Sequence, residues 1–378
     1  MLTYRSYCQE NSQRSRHRFT DPALTAVARK VSSGQRLDRA DGIACLQTTD
    51  LLGLATLGHE VRRARFGQRA FYVVNQHLNY TNICSNGCRF CAFRRKAGSS
   101  DGYLLDPQEA AARISESCVS ELKEVHIVGA INPEPDFSYY VDLLRAVRAV
   151  APAARLKAFT AVEIDHIARK AGLSWKECLI SLKDAGLSAL PGGGAEVFSE
   201  RVRKILFPSK ISADTWLAIH ATAHRLGIGT NATLLFGHIE TPAERTEHLL
   251  RLREQQDETG GFRAFIPLAF HSQNTELAHL PGPSGVEILK LVATARLVLD
   301  NIPHIKAYWV MLGLKLAQTA LYFGADDMEG TVVHESITHE AGATTSVGLT
   351  RSDLEELIRD AGFIPTERDS FHKAVAVS

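Results

Sequence analysis

The chain is short of most features that would place it outside the ordinary globular enzymes. Only 7 of its 378 residues are cysteine, too few for a disulfide scaffold. No apolar h-region follows Met1, and no run approaches the roughly 20 apolar residues of a membrane span. A cytoplasmic protein with no membrane partner is expected. A net charge of +1 gives no polyanion signal, so nucleic acid is not an expected partner. The Arg-rich start (Arg5, Arg14, Arg16, Arg18) reads as a weak basic arm or a frayed terminus. Material for a core is ample, with 45% of residues hydrophobic.

Three of the few cysteines fall together. Cys84, Cys88 and Cys91 form CxxxCxxC, with the aromatic Phe90 immediately before the third. Structural zinc wants four ligands, and no second CxxC or nearby CxxH completes the set. A [4Fe-4S] cluster on three cysteines instead keeps one iron free of protein ligands, which is what a small chelating cosubstrate needs. The alternatives are an incomplete zinc site or three buried apolar thiols; the polar Ser85-Asn86-Gly87 between the ligands argues against the latter. Cys8, Cys45, Cys118 and Cys178 are scattered and read as reduced, structural residues.

From about residue 70, short β-branched runs alternate with longer helical patterns, the rhythm of a parallel α/β sheet. Eight candidate strands are expected: 71–79, 124–130, 155–161, 188–190, 229–236, 263–270, 305–310, and one poorly marked at 322–325 or 331–333. Eight is the count of a closed (β/α)8 barrel. Asp106-Pro107-Gln108-Glu109 and Thr241-Pro242-Ala243-Glu244 supply N-cap, N1 proline and N3 carboxylate for two of the helices. Residues 21–31 and 49–65 read as amphipathic helices with arginines on the wet face. They form an N-terminal helical extension over 1–66, ahead of a barrel with closing elements over 67–378.

Side chains at the carboxyl ends of barrel strands face the active site. On the first strand Asn75, His77 and Asn79 share one face. Asn79 is the substrate-binding candidate, His77 a weaker one, and Asn75 structural. His238 and His271, at the ends of the fifth and sixth strands, are the catalytic candidates, histidine being the usual acid or base near neutrality; for His238, capping of the strand end is the alternative. Gly193, within Pro191-Gly192-Gly193-Gly194-Ala195-Glu196, offers backbone amides as an anion nest or merely a flexible turn. Glu163 is placed to accept ribose hydroxyls or to serve its own helix dipole. Asn274 and Lys306 are candidates for a substrate carboxylate, Lys306 equally for a salt bridge closing the barrel. Asp326-Asp327 is a metal pair or a turn.

The cysteine spacing with its aromatic is the signature of the radical S-adenosylmethionine (SAM) superfamily. The resemblance implies that the open iron holds SAM by its amino and carboxylate groups, that Phe90 lies against the adenine, and that Gly129 ends the strand facing the SAM ammonium group. It also implies that Thr233, Gly237 and Glu240 occupy the adenine-contacting strand end, with Thr233 where the superfamily has glycine. The strings NYTNIC, CRFCAF, KAFTAVEI, LPGGGAEVF, TNATLLFGHIET, FIPLAFHSQNT and LDNIPHIKAYW narrow the resemblance to the aminofutalosine synthases of the futalosine route to menaquinone, over roughly residues 65–372. That family's reaction joins the 5′-deoxyadenosyl radical to 3-[(1-carboxyvinyl)oxy]benzoate, giving 6-amino-6-deoxyfutalosine with loss of carbon dioxide or bicarbonate. A low-potential donor of the flavodoxin or ferredoxin class is the implied redox partner. Sister enzymes that abstract hydrogen, the cyclic dehypoxanthinylfutalosine synthases and the deazaflavin synthase subunits, share the cysteine motif and are the alternative.

Overall fold

The computed structural model describes residues 19–117 and 121–375. Cys8, Cys118 and the arginines at 5, 14, 16 and 18 lie outside the described residues. The first strand, β1 (Arg69–Val73), is followed by β2 (Asn75–Leu78), β3 (Glu124–Ile127), β4 (Arg155–Ala158), β5 (Leu187–Leu190), β6 (Gly229–Phe236), β7 (Phe262–Ala269) and β8 (His304–Ile305). Strands β2 to β8 form one seven-stranded parallel sheet in sequential order, with helices in the connections. Parallel neighbours require such crossovers, and these helices cover the outer face.

The α/β barrel expected from the sequence is present, with its eighth strand reduced. Between β8 and β2 the gap is spanned by β9 (Asp327–Gly330) and the residues after it, through single bridges from Lys306 to Asp327 and from Gln76 to Val333. The expected strand at 71–79 is two strands in two sheets: β1 pairs with β9 and with β10 (Ile364–Glu367), while β2 enters the barrel. Thr331 marks the switch. Asn75 N–H donates to its Oγ1 at 2.9 Å, and the Asn75 side-chain oxygen accepts from Val332 N–H at 2.8 Å. Hydropathy runs unbroken through the switch, so periodicity cannot reveal it. The expected strand at 305–310 is also cut short, since a helix begins at Trp309, and 321–323 is a 3-10 turn.

Helix starts follow their local chemistry. Asp106 accepts from the N–H groups of Gln108 and Glu109 at 2.8 Å, and Thr241 and Glu244 form the same reciprocal box. The helices Pro22–Ser32, Arg39–Gln47 and Leu51–Phe66 precede the strands. The last two pack on the barrel's side, against helices Pro242–Thr259 and Gly285–Val298. Arg62 is not on a wet face as expected: it is fully buried, donating to the carbonyls of Ala325 and Gly67. Asp326 and Asp327 form neither a metal pair nor a turn. Asp326 is ion-paired with Arg296 and lies 2.6 Å from His304, and Asp327 is paired with the buried Arg368. No helix among the described residues is long and apolar enough to cross a membrane.

Candidate active site

The carboxyl ends of the strands enclose a cavity of about 320 Å³, within the range of small-molecule sites. Cys84, Cys88 and Cys91 line its upper end and none is in a disulfide. Their loop is pinned from several sides: Ser85 N–H donates to Ile131 O at 2.9 Å, Cys84 N–H to Arg95 O at 2.9 Å, and Ile131 N–H to Cys84 Sγ at 3.4 Å. Burial pushes the Cys88 thiol up to about 12, a cost that binding to iron reverses by holding the thiolate. Among the described residues no three His, Cys, Asp or Glu side chains are grouped as ligands of a single metal ion. Three unclaimed thiols around one cavity end suit a cluster, which spreads its ligands wider than one ion does.

Beside the cysteines sits a cation that the sequence reading missed. Lys210, partly buried and paired with Glu196, has its Nζ 5.3 Å from the centre of the Phe90 ring. Burial opposes its charge, but Glu196 and the thiolates of Cys88 and Cys91 hold it above the usual lysine value. Both residues line the cavity. Only the string of glycines before Glu196 hinted at this corner.

Several predicted residues also reach the cavity: Phe90, Gly129, Asn79, Gly193, Thr233 and His271. Asn79 is fixed through its amide, which donates to Val128 O at 2.9 Å, leaving its buried oxygen without a partner. Gly129 has a packing reason, since a Cβ there would lie 2.6 Å from the Tyr80 ring. Gly192 and Gly194 flank Gly193 for similar reasons: Gly192 presses on the backbone of β6, and Gly194 adopts φ +87. Thr233 donates to Gly192 O at 2.6 Å, and His271 Nε2 lies 2.9 Å from Met311 O at the mouth.

Other predicted residues lie away from the cavity lining. Glu163 is buried behind Tyr80 and Gly129, accepting from Tyr80 Oη at 2.8 Å, Gly129 N at 3.0 Å and Thr160 N at 2.7 Å. Burial raises its pKa in spite of these bonds. Its two oxygens accept from protein donors, so in this structure it braces the strand end that carries Gly129. Glu240 accepts from Gly237 N–H at 2.6 Å and Arg245 Nε at 2.7 Å. Burial opposes its charge, yet His238 and Arg245 hold its pKa down to about 2. His238, with a fully buried side chain, has Nδ1 2.8 Å from Glu240 and 2.7 Å from Ile239 N, and so closes the strand end as the capping alternative expects. Gly237 there is forced by φ +93 and by Pro283 against it. Asn274 faces outward and donates to Glu340 O at 2.9 Å. Lys306 is fully buried under the floor, 2.7 Å from Glu329, and burial lowers its pKa. Glu329, not Lys306, reaches the cavity, together with Glu335, His77 and His126.

Known proteins sharpen this picture. Residues 78–252 match the model of the radical SAM superfamily, and residues 259–377 that of the CofH/MqnC C-terminal region. The aminodeoxyfutalosine synthase of Thermus thermophilus is 46% identical, covering 94% of this chain and 97% of its own. That of Streptomyces coelicolor is 44% identical over 91% and 92%. The 5-amino-6-(D-ribitylamino)uracil--L-tyrosine 4-hydroxyphenyl transferase of Methanopyrus kandleri is 39% identical over 93% and 95%. Among solved structures, methylornithine synthase (TM-score 0.69, 17% identity, 90% of this chain and 97% of that one) and the hydrogenase maturase HydG of Carboxydothermus hydrogenoformans (0.72, 16%, 93% and 81%) share the fold. With identity of this degree running through nearly the full length of both chains, and three free thiols set at the top of the barrel, the chain belongs to the aminodeoxyfutalosine synthase family of radical SAM enzymes, which work with a [4Fe-4S] cluster and SAM.

Proposed function

We propose that this chain joins the 5′-deoxyadenosyl group of SAM to 3-[(1-carboxyvinyl)oxy]benzoate, giving 6-amino-6-deoxyfutalosine, methionine and carbon dioxide or bicarbonate, as a cytoplasmic step of menaquinone biosynthesis. The observation that carries the reading is the 46% identity to the Thermus thermophilus aminodeoxyfutalosine synthase along 97% of that chain. The cluster and SAM supply the carbon radical; an electron donor of the flavodoxin or ferredoxin class feeds them. The protein's own work is positioning and exclusion of water.

Cys84, Cys88 and Cys91 hold the cluster. Lys210, fixed by Glu196 beside those thiols, offers its remaining donors to the SAM carboxylate. Phe90 packs on the adenine, and Asn79 presents its unpartnered oxygen to an amino or hydroxyl hydrogen of SAM. Thr233 and Gly193 shape the wall, and His271 and Met311 flank the mouth. Ile266, Leu268, Phe270 and Tyr308 give the cavity an apolar middle that suits an arene and keeps water from a radical.

A second reading is motivated by the 39% identity to the Methanopyrus kandleri transferase: the same barrel abstracting hydrogen from another aromatic substrate. Anaerobic incubation of the reconstituted enzyme with SAM, dithionite and the benzoate substrate, followed by mass spectrometry of adenine-containing products, separates the two. An adduct of the adenosyl skeleton with the aryl group supports the synthase reading; free 5′-deoxyadenosine alone moves the substrate to a sister reaction.

A further inference from the structure

Deep in the cavity the rings of His77 on β2 and His126 on β3 stack with centroids 4.5 Å apart and planes 27° apart, and strand register sets the two residues side by side. Both line the cavity. His77 is only 8% exposed, and its Nε2 has no partner. A buried polar atom left unbonded is costly, and this one belongs to a ring that lines a cavity.

The charged groups around this pair are matched one to one, with the carboxylates of Glu329 and Glu335 lining the cavity and their cations outside its lining. Glu124 is matched by Lys157 of β4 at 2.7 Å, Glu329 of β9 by Lys306 at 2.7 Å, and Glu335 by His339 at 3.0 Å. A hydrogen bond to Glu335 holds His339 up at about 9, so it carries its charge near neutrality. Three carboxylates therefore face three cations, and with neutral histidines the floor has no net charge. Burial lowers the pKa of His77 and His126, with Lys157 adding to the effect and Glu124 and Glu329 opposing it. An anion entering here has no counter-charge waiting for it, and a proton on the histidine pair is the nearest means of supplying one. Two protons on stacked rings would repel.

We propose that the His77–His126 pair is the subsite for the ring carboxylate of the aromatic substrate, and that the pair takes one proton from solvent when that carboxylate binds. This rests on the reading given under Proposed function and deepens it. The enol methylene must lie at the cluster end, beside the carbon it will bond, and the carboxylate on the adjacent enol carbon stays near it. The ring carboxylate, across the arene, reaches down past Asn79 to the next inward position on β2, which is His77.

The test is calorimetric titration of 3-[(1-carboxyvinyl)oxy]benzoate into cluster-loaded, SAM-bound enzyme without reductant, at pH 8, in two buffers of different ionisation enthalpy. The expected uptake is about one proton per site. The ring-carboxamide analogue should bind about tenfold or more weakly, in line with loss of a charge-assisted hydrogen bond, with uptake near zero. His77→Gln and His126→Gln should behave towards the acid as the parent does towards the amide, while SAM titrations stay unchanged. Binding of the acid without proton uptake, or equal uptake with acid and carboxamide, overturns the subsite alone. SAM binding with no binding of the acid overturns the substrate reading and the subsite with it.

Discussion

Lys306→Met separates a substrate-binding lysine from a buried structural one. Lys306 is fully buried, 2.7 Å from Glu329, and does not line the cavity. Removing it leaves Glu329 buried without its nearest cation, which typically costs about 3–5 kcal/mol; Lys157 and Arg368 also act on Glu329, which favours the lower end. For 378 residues, an unfolding entropy of about 2.1 cal/mol/K per residue gives roughly 0.8 kcal/mol per degree, so the melting midpoint should fall by about 4–6 °C. The pH dependence follows from the sign of the shift. In the parent, burial opposes the charge on Glu329 but Lys306 holds its pKa below the usual carboxylate value. Its stabilisation is present above that usual value and lost as pH falls through the depressed one. In the variant, desolvation pushes the same carboxyl upward, so the deficit is full near neutrality and shrinks as the group protonates in mild acid. Glu329→Gln added to Lys306→Met should recover part of the loss. Thermal melts of the cluster-loaded protein at pH 7.5 and pH 5 measure all of this. A variant that melts like the parent but binds the aromatic acid weakly would refute the reasoning and return Lys306 to the substrate.

Cys88→Ala should abolish iron loading and turnover together, read by iron and sulfide analysis; product formation from SAM by that variant would sink the cluster mechanism. Glu163→Gln should lower stability by about 1–3 kcal/mol through its capping box and its bonds to Tyr80 and Gly129, while a direct ribose contact would show as weakened SAM binding with unchanged stability. Lys210→Met should weaken SAM binding by about 10- to 150-fold, the worth of a charge-assisted hydrogen bond, with Lys210→Arg recovering part of it; unchanged SAM affinity would remove Lys210 from the site. Gly129→Ala should disturb the strand end, because its Cβ would meet the Tyr80 ring at 2.6 Å, and a parent-like melt would show that the ring can yield.

The sequence was most legible where the rule is local. Strand β6 spans Gly229–Phe236 as expected, its β-branched and aliphatic residues bounded by Gly227 and Gly237. The capping boxes at Asp106 and Thr241 formed for the same reason. It was least legible where a residue's partner is remote. Glu163, Glu240 and Lys306 stand at strand ends or helix starts where chemistry is expected, yet each faces the packing behind the site: Tyr80 lies 83 positions from Glu163, and Glu329 lies 23 from Lys306. A period of two says which face a side chain takes on a strand, but not whether a polar residue meets a substrate or another polar residue. Lys210 was invisible because it follows a short helix and not a strand; only Glu196, fourteen residues earlier, brings it to the cysteines.

His238 lies off the cavity lining, and the chemistry of the proposed function bears on that. In the sequence His238 is a catalytic candidate because histidine is the usual acid or base near neutrality. Under the proposed function no acid or base would be called for: the adenosyl carbon would bond to the enol methylene, the aryl group would pass from oxygen to the adjacent carbon, and carbon dioxide would leave with one electron passing back to the iron-sulfur cluster that supplied it. Bonds form and break without a proton transfer to any protein side chain. Such a cavity has no use for a poised base, and its ionisable floor is correspondingly matched in pairs: Glu124 with Lys157, Glu329 with Lys306, Glu335 with His339. What radical chemistry does require is that the arene and the enol carbon hold one orientation while the ring migrates. Rigid, mutually neutralised pairs under an apolar waist supply that, and the stacked His77–His126 pair proposed above as the carboxylate subsite would anchor the far side of the ring without acting on the reacting carbons.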